Sequence, residues 1–201
     1  MLDRLALKLA KPAVDRAAAA LARLGVTADQ ATLAGFALGL AAALLVAFGH
    51  SLIAVLPLLV NRALDGIDGA LARLSSSSER GAFLDISLDF VFYAAIPLAF
   101  GVADPAANAL AAAVLLAAFV VTGTSFLAFA VLAEKRGLKS AAYPSKAFYY
   151  LGGLTEGTET ILCFLAMCLF PSHFAALAYV YASLCALTAA MRLHAGWKAF
   201  G

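Results

Sequence analysis

Four aspartates are the residues of this sequence whose type and spacing could do chemistry. Asp65 and Asp68 are three residues apart and Asp85 and Asp89 are four apart, so each pair would share one face of a helix. Four carboxylates that lie close together cannot all ionise unless cations lie between them. Carboxylate oxygens in this number are typical ligands of Mg²⁺, Mn²⁺ or Ca²⁺ and not of zinc. The spacing therefore predicts a divalent-metal site, in which two ions could hold a phosphate group.

The residues beside the aspartates admit both a functional and a purely structural interpretation. Arg62, Arg73 and Arg80 could form buried ion pairs with them, although three arginines cannot neutralise four carboxylates. Gly69 and Ala72 would let a flat ligand approach the backbone, or would simply let two helices pack closely. Arg73 offers a guanidinium fork that suits a phosphate group. A metal site is the favoured interpretation of the aspartates, and both interpretations stay open for the glycine and the alanine.

The composition places these carboxylates in a membrane protein. The chain has 201 residues, of which 64% are hydrophobic and 13% are charged, whereas a soluble domain has roughly 25% charged residues. No Asp, Glu, Lys or Arg occurs in residues 30–61, 105–133 or 160–191. A transmembrane helix needs about 20 mostly apolar residues, so these runs must contain several membrane spans. The net charge of +2 is too small to favour nucleic acid as a partner.

The elements that must position the aspartates are predicted to be helices throughout. We expect an all-α polytopic membrane protein in which residues 1–201 form one domain. Residues 1–24 have leucines and basic residues on different faces, as in a helix that lies in the headgroup layer. Six transmembrane helices follow and form a bundle over residues 31–193. The predicted spans are 31–49, 52–73, 82–101, 106–133, 146–170 and 174–193.

The positions of the basic residues predict the orientation of these spans. All 14 Lys and Arg residues lie at the termini, near the connections after spans two and four, or on the adjoining halves of spans. Because cytoplasmic loops are rich in Lys and Arg, that side is expected to be cytoplasmic in a bacterial-type inner membrane. Both termini would lie there. Asp65 and Asp89 would lie about 12 Å from the cytoplasmic helix ends, so the four carboxylates would converge at one depth.

The stretch from Asp65 to Asp89, DGIDGALARLSSSSERGAFLDISLD, resembles the signature of the CDP-alcohol phosphatidyltransferases. That signature reads D-x-x-D-G-x-x-A-R, then a short gap, then G-x-x-x-D-x-x-x-D, and all eight fixed positions are filled. The gap is seven residues instead of the usual eight. The segment LGVTADQAT is similar to the family's P-[DN]-x-x-T entry to span one, with Ala28 in place of the proline and with Asp29 and Thr32 fitting the pattern.

The resemblance implies a six-span fold, a reaction and a set of site residues. A phosphatidyl group would move from CDP-diacylglycerol to an alcohol, with release of CMP, and Mg²⁺ or Mn²⁺ would serve as cofactor, with two ions expected. The partners would be the CDP-alcohol donor, a small alcohol or lipid acceptor, membrane lipids and a second copy of the chain in a homodimer. The metal ligands would be Asp65, Asp68, Asp85 and Asp89, and Asp89 would also be the general base. The CDP part of the donor would contact Asp29, Gly69, Ala72, Arg73, Ser78 and Gly81.

The acceptor is expected to bind near span five. Members that use inositol phosphate have a region resembling G-G-x-x-E-R-x-E-R, and GGLTEGTET in this chain keeps Glu156 and Glu159 without the two arginines. These glutamates could bind the cation of an amino alcohol, or they could pair with Lys146 or Arg192 and brace helices. Lys146 and the basic residues before it could instead bind a phosphate.

Glycerol 3-phosphate is therefore narrowly favoured as acceptor over an amino alcohol such as serine or choline. A lipid acceptor, as in a cardiolipin-synthase-like enzyme, is the other alternative within the class. The alternative from another class is an aspartate-lined transporter of metal ions. A transport path would need polar residues on the far side of the membrane, but the outer halves of spans one to four are nearly all apolar, so the sequence favours an enzyme.

Overall fold

The structure is a computed structural model, and it describes residues 2–75, 78–137 and 153–201. Seven α-helices occur in these ranges, and no strand does, so the predicted all-α class is confirmed. The helices are α1 Leu2–Arg23, α2 Ala28–Ala47, α3 Ser51–Leu74, α4 Glu79–Ala103, α5 Pro105–Lys135, α6 Gly157–Leu169 and α7 Phe174–Phe200, with a 3₁₀ turn at Pro171–His173.

Local capping chemistry sets where three of these helices begin. Thr27 and Gln30 form a capping box at the start of α2, in which each side chain accepts a hydrogen bond from the other residue's backbone N–H. The Ser78 side chain caps α4. The Asp104 side chain caps α5, whose first residue is Pro105. At these three starts a side chain supplies an orphan N–H group with an acceptor.

The helices confirm a membrane protein with several spans. Within the part of the chain that the structure describes, four segments are long and apolar enough to cross a membrane: Ala28–Ala47, Glu79–Ala103, Pro105–Lys135 and Pro171–Phe200. Helix α3 has 24 residues, but its second half contains the charged residues of the site, which lower its apolar character. Helix α6 has 13 residues. Six membrane-spanning helices therefore remain a prediction.

The predicted fifth span differs from the structure at its start. It was expected to be helical from residue 146 through Glu156, but residues 153–156 are not helical and α6 begins at Gly157. The backbone N–H groups of Leu154 and Thr155 donate to Thr188 Oγ1 on α7, at 3.2 Å each. Because these N–H groups donate to a neighbouring helix, they do not form the hydrogen bonds of an α-helix. Glu156 is the N-cap residue of α6.

Close packing of α2 against α3 and α4 fixes the helices that carry the aspartates. A Cβ atom at Gly39 of α2 would lie 2.6 Å from Phe92 Cδ2 and 3.1 Å from Asn61 Nδ2. Asn61 Nδ2 donates to the backbone oxygen of Gly35 at 2.9 Å. Small residues let helix backbones approach, and buried polar side chains join helices in membranes. Because α2 packs in this way against both α3 and α4, it holds the two helices in place relative to each other.

Helix α1 packs on α3 through a small cluster of apolar residues. Ala18, Ala31, Ala70 and Leu71 are buried together. The helix predicted for residues 1–24 is thus present as α1, and this cluster joins it to α2 and α3. Its location in the headgroup layer remains a prediction.

Candidate active site

The carboxylates of α3 and α4 meet in one cleft. Asp65, Asp85 and Asp89 place one oxygen each within 4.8 Å of one another. Asp68 is buried one turn after Asp65 and lines the same cleft. The convergence expected from the spacing of the two pairs is therefore observed. Three aspartates form a tight group, and the fourth lies beside it.

Thr32 on α2 holds the fourth aspartate. Its hydroxyl donates to Asp68 Oδ2 at 2.6 Å and also lies 3.1 Å from the backbone oxygen of Ala28. The sequence comparison with the family pattern included Thr32, but it was not predicted as a site residue. Its contact with Asp68 joins the start of α2 to the acidic cleft, and a hydroxyl donor leaves the other Asp68 oxygen as a potential cation ligand.

Arg62 is the main residue of the cleft that sequence reasoning did not assign to the reaction. Its side chain is 16% exposed, and its Nη2 lies 2.5 Å from Asp65 Oδ1 and 3.1 Å from Asp89 Oδ1. Nη1 donates to the Tyr93 hydroxyl at 3.0 Å, and Nε donates to Asn61 Oδ1 at 3.2 Å. The sequence could have indicated this contact, because Arg62 precedes Asp65 by three residues and shares its helix face.

The other two arginines pair away from the cleft. Arg73 Nη2 lies 3.7 Å from Asp15 Oδ1 on α1, and Arg80 forms an ion pair with Asp29 on α2. In the described part of the chain, the three arginines therefore do not neutralise the aspartates together, as the structural alternative required. Among the described residues, one guanidinium faces four carboxylates, which leaves a formal charge of −3 when all are ionised. A half-buried group with this charge needs further cations, and its all-oxygen donor set suits hard divalent ions.

Three predicted donor contacts lie together where α2 and α4 begin. Gly81 N donates to Ser78 Oγ at 3.0 Å. A Cβ atom at Gly81 would lie 3.1 Å from Ser78 Oγ and 3.2 Å from Asp29 Oδ1. The absence of a side chain at Gly81 thus lets the two polar side chains approach the helix start. Arg80 pairs with Asp29 at the same place, so this polar group contains a cation that was not predicted as a donor contact.

The other three predicted donor contacts follow the aspartates along α3. Arg73 is 60% exposed and its Nη1 lies 3.6 Å from where a Gly69 Cβ would be. Ala72 is half-buried. A hydrogen bond from Lys11 lowers the pKa of Asp15 below its usual value, so Asp15 is ionised at neutral pH and can hold Arg73. The predicted donor contacts therefore form two groups, one along the end of α3 and one where α2 and α4 begin.

Glu156, one of the residues predicted for the acceptor, lies in a second buried polar region. Glu156 is buried and accepts a hydrogen bond from Gly153 N at 3.2 Å. Arg192 of α7 is buried beside it, with Nη2 3.2 Å from where a Gly153 Cβ would lie and Nη1 donating to the Thr122 oxygen of α5 at 3.1 Å. Glu159 lies half-buried in the first turn of α6. Lys146 lies outside the described residues.

An acidic, half-buried cleft among the helices of a membrane protein, with one arginine inside it, is a site suited to divalent cations. A family model described as CDP-alcohol phosphatidyltransferase matches residues 25–184. The chain belongs to the CDP-alcohol phosphatidyltransferase family and is a phosphatidyltransferase.

Individual proteins are also similar to this chain. The inner membrane protein YnjF of Escherichia coli (strain K12) is 54% identical over 140 residues, which cover 70% of this chain and 68% of that protein. Two crystal structures of phosphatidylinositol phosphate synthase (PgsA1) from Mycobacterium tuberculosis share the fold. The one with CDP-DAG bound has a TM-score of 0.70 and 24% identity and covers 92% of this chain and 93% of that chain. The one in complex with manganese and citrate has a TM-score of 0.72 and 23% identity and covers 92% and 88%.

Proposed function

We propose that this chain transfers a phosphatidyl group from CDP-diacylglycerol to an alcohol and releases CMP, at the cytoplasmic face of a bacterial-type inner membrane. The observation that carries the proposal is the acidic cleft formed by α3 and α4 in a chain of this family. The structural relatives support the donor and the ion, because one was crystallised with CDP-DAG and one with manganese. The name of the Escherichia coli relative supports the inner membrane as the location.

The cleft residues would hold divalent cations and carry out the proton transfer. Asp65, Asp68, Asp85 and Asp89 would bind Mg²⁺ or Mn²⁺, with two ions proposed, which when bound would supply positive charge to the donor's diphosphate and to the departing CMP. The acceptor oxygen bonds to the β-phosphorus, the bond from that phosphorus to the CMP oxygen breaks, and Asp89 takes the hydroxyl proton. Arg62 donates to Asp89 Oδ1, which leaves Oδ2 of that carboxylate as the proton acceptor.

The donor would bind with its nucleotide at the cytoplasmic ends of the helices and its acyl chains in lipid. We assign the nucleotide and the diphosphate to the two groups of polar residues that flank the cleft, which include Asp29, Ser78, Gly81 and Arg73. The neighbouring helix α4 exposes apolar side chains such as Phe83, Phe90 and Val91. An apolar surface next to a charged cleft suits a substrate with a charged head and fatty tails.

We favour glycerol 3-phosphate as the acceptor. Arg192 supports an anionic acceptor, because it places a buried guanidinium beside Gly153 in the region of Glu156. Lys135 is the last residue of α5 and Arg136 is its C-cap, and both add positive charge to the sequence that leads to Lys146. Glu156 and Glu159 favour instead an amino alcohol such as serine or choline, since a buried carboxylate attracts an ammonium group. The amino alcohol is therefore the second candidate.

An acceptor screen tests the proposed reaction. Purified protein in lipid nanodiscs receives labelled CDP-diacylglycerol, Mg²⁺ or Mn²⁺, and one acceptor at a time from glycerol 3-phosphate, serine, inositol, inositol phosphate, choline and phosphatidylglycerol. We expect CMP release and a labelled lipid product with glycerol 3-phosphate. If no acceptor of the panel led to CMP release, the phosphatidyl transfer would be refuted, provided that the donor and the metal ion are present. Selective use of phosphatidylglycerol would support the cardiolipin-synthase-like alternative.

The variant Glu156→Gln distinguishes the two candidate acceptors. Glutamine keeps an oxygen for the hydrogen bond from Gly153 N but removes the negative charge. We expect the apparent KM for glycerol 3-phosphate to fall about three- to tenfold, because a buried carboxylate repels a phosphate, while the KM for CDP-diacylglycerol stays unchanged.

The matched control for this variant is Glu134→Gln, the same change at an exposed position near the end of α5. A raised KM for serine or choline in Glu156→Gln would support an amino-alcohol acceptor. Loss of activity towards every acceptor, together with a lower melting temperature, would show that Glu156 braces the start of α6.

A further inference from the structure

Arg62 makes more contacts within the acidic cleft than its place outside the family signature would suggest. One nitrogen, Nη2, contacts both Asp65 on α3 and Asp89 on α4, so the guanidinium bridges the two helices that form the cleft. The other two nitrogens are fixed by Asn61 and Tyr93. The guanidinium carbon also lies 5.6 Å from the centre of the Phe92 ring and 5.9 Å from that of Tyr93, a geometry typical of cation–π contacts.

This set of contacts fixes both the position of the guanidinium and the two carboxylates. An arginine held by two neutral hydrogen-bond partners and two aromatic rings has little freedom to leave its place. Asp65 Oδ1 and Asp89 Oδ1 each bond to it, so the orientation of both carboxyl groups follows from the orientation of the arginine.

The charge of Arg62 also opposes the charge of any divalent ion in the cleft. Its Nη2 lies 2.5 Å from an oxygen of Asp65, and that carboxylate is within 4.8 Å of those of Asp85 and Asp89. Like charges at such separations in a half-buried site repel strongly. A cation and the guanidinium therefore share the same carboxylates, and each weakens the attraction of the cluster for the other.

We propose that Arg62 is a positioning residue and a built-in counter-charge of the acidic cluster: it orients Asp65 and Asp89 and lowers the affinity of the cluster for divalent ions. The inference rests on the proposed metal site and is independent of the acceptor. It gives a reason for a buried cation among potential metal ligands, because the guanidinium balances one of the four negative charges and keeps divalent ions exchangeable.

The test is the affinity of the purified protein for Mn²⁺ in the absence of substrate, measured by equilibrium dialysis or by the loss of the free Mn²⁺ signal in electron paramagnetic resonance. We expect Arg62→Gln to bind Mn²⁺ at least about tenfold more tightly than the wild type. At saturating Mn²⁺, its kcat should fall while the KM for CDP-diacylglycerol changes little, because Asp89 is no longer oriented. A residue that only braced α3 against α4 would give an unchanged or weaker Mn²⁺ affinity, which would overturn the inference.

Two further variants keep the test decisive. Arg16→Gln is the matched control, since Arg16 is exposed on α1 and its Nε donates to the Pro12 oxygen of the same helix; its Mn²⁺ affinity should equal that of the wild type. If Arg62→Gln does not fold, Tyr93→Phe removes one partner of the guanidinium and should tighten Mn²⁺ binding about two- to threefold. Unchanged affinity in that variant would count against the proposal.

The outcomes also separate this inference from the proposed function. Mn²⁺ binding by the wild type with no tightening in the Arg62 and Tyr93 variants would overturn the role of Arg62 alone. No Mn²⁺ binding by either the wild type or Arg62→Gln would overturn the metal-dependent function and the inference with it.

Discussion

Asp89→Asn should lower the rate of CMP release by about 10²- to 10⁴-fold, the contribution typical of a general base. Asparagine has nearly the same shape and keeps an oxygen that can accept the hydrogen bond from Arg62 Nη2, which lies 3.1 Å from Asp89 Oδ1 in the wild type. It cannot take the proton of the acceptor hydroxyl. The loss should therefore appear in kcat, and the binding of a CDP-containing ligand should be largely retained.

The matched control is Asp104→Asn on the opposite end of α4. The Asp104 side chain caps α5 by accepting from Ala107 N at 3.1 Å, and asparagine is an equally good N-cap residue. This variant should keep both its melting temperature and its turnover. Near-normal turnover of Asp89→Asn, measured under the same conditions and at saturating Mn²⁺, would show that Asp89 is not the base.

Removal of divalent ions should abolish turnover altogether. With excess EDTA, the four carboxylates face one guanidinium, and the remaining negative charge repels the diphosphate of the donor. We therefore expect CMP release to fall below detection and CDP-ligand binding to weaken at the same time. This double loss contrasts with Asp89→Asn, in which binding is largely retained.

Activity should return when Mg²⁺ or Mn²⁺ is added in excess of the chelator, and EDTA loaded beforehand with Mg²⁺ is the control for direct effects of the chelator. Asp68→Asn should resemble the chelated protein, with weaker metal binding and weaker donor binding together. Undiminished turnover in excess EDTA would refute a metal-dependent reaction.

The sequence by itself determined the helical elements and the principal acidic residues. The spacing of the aspartates places each pair on one face of a helix, and the short connection between α3 and α4 places both pairs at a similar distance from that connection. Since helix geometry and chain connectivity are local properties, the common depth of the two pairs could be predicted from the sequence, whereas their meeting in one cleft depends on α2, which packs against both α3 and α4. The capping residues Thr27 and Ser78 are equally local, and they set the helix starts near the breaks that the sequence indicated.

The tertiary structure alone decided which partners the charged residues take. Arg62, Arg73 and Arg80 were equivalent candidates for pairing with the aspartates, but Arg73 pairs with Asp15 and Arg80 with Asp29, across contacts between distant parts of the chain. Of these three arginines, only Arg62 enters the cleft. Long side chains can reach in several directions, so the choice depends on which helices pack together and which groups they bury.

The start of α6 shows the same limit. The sequence from 146 to Glu156 was expected to be helical, yet Leu154 and Thr155 donate to Thr188 on α7. A backbone N–H within a membrane protein must find an acceptor, but whether the acceptor lies in its own helix or in a neighbouring one depends on long-range packing. Sequence periodicity determined which faces are apolar and where the carboxylates stand, and the packing of α7 against residues 153–156 decided the geometry around Glu156.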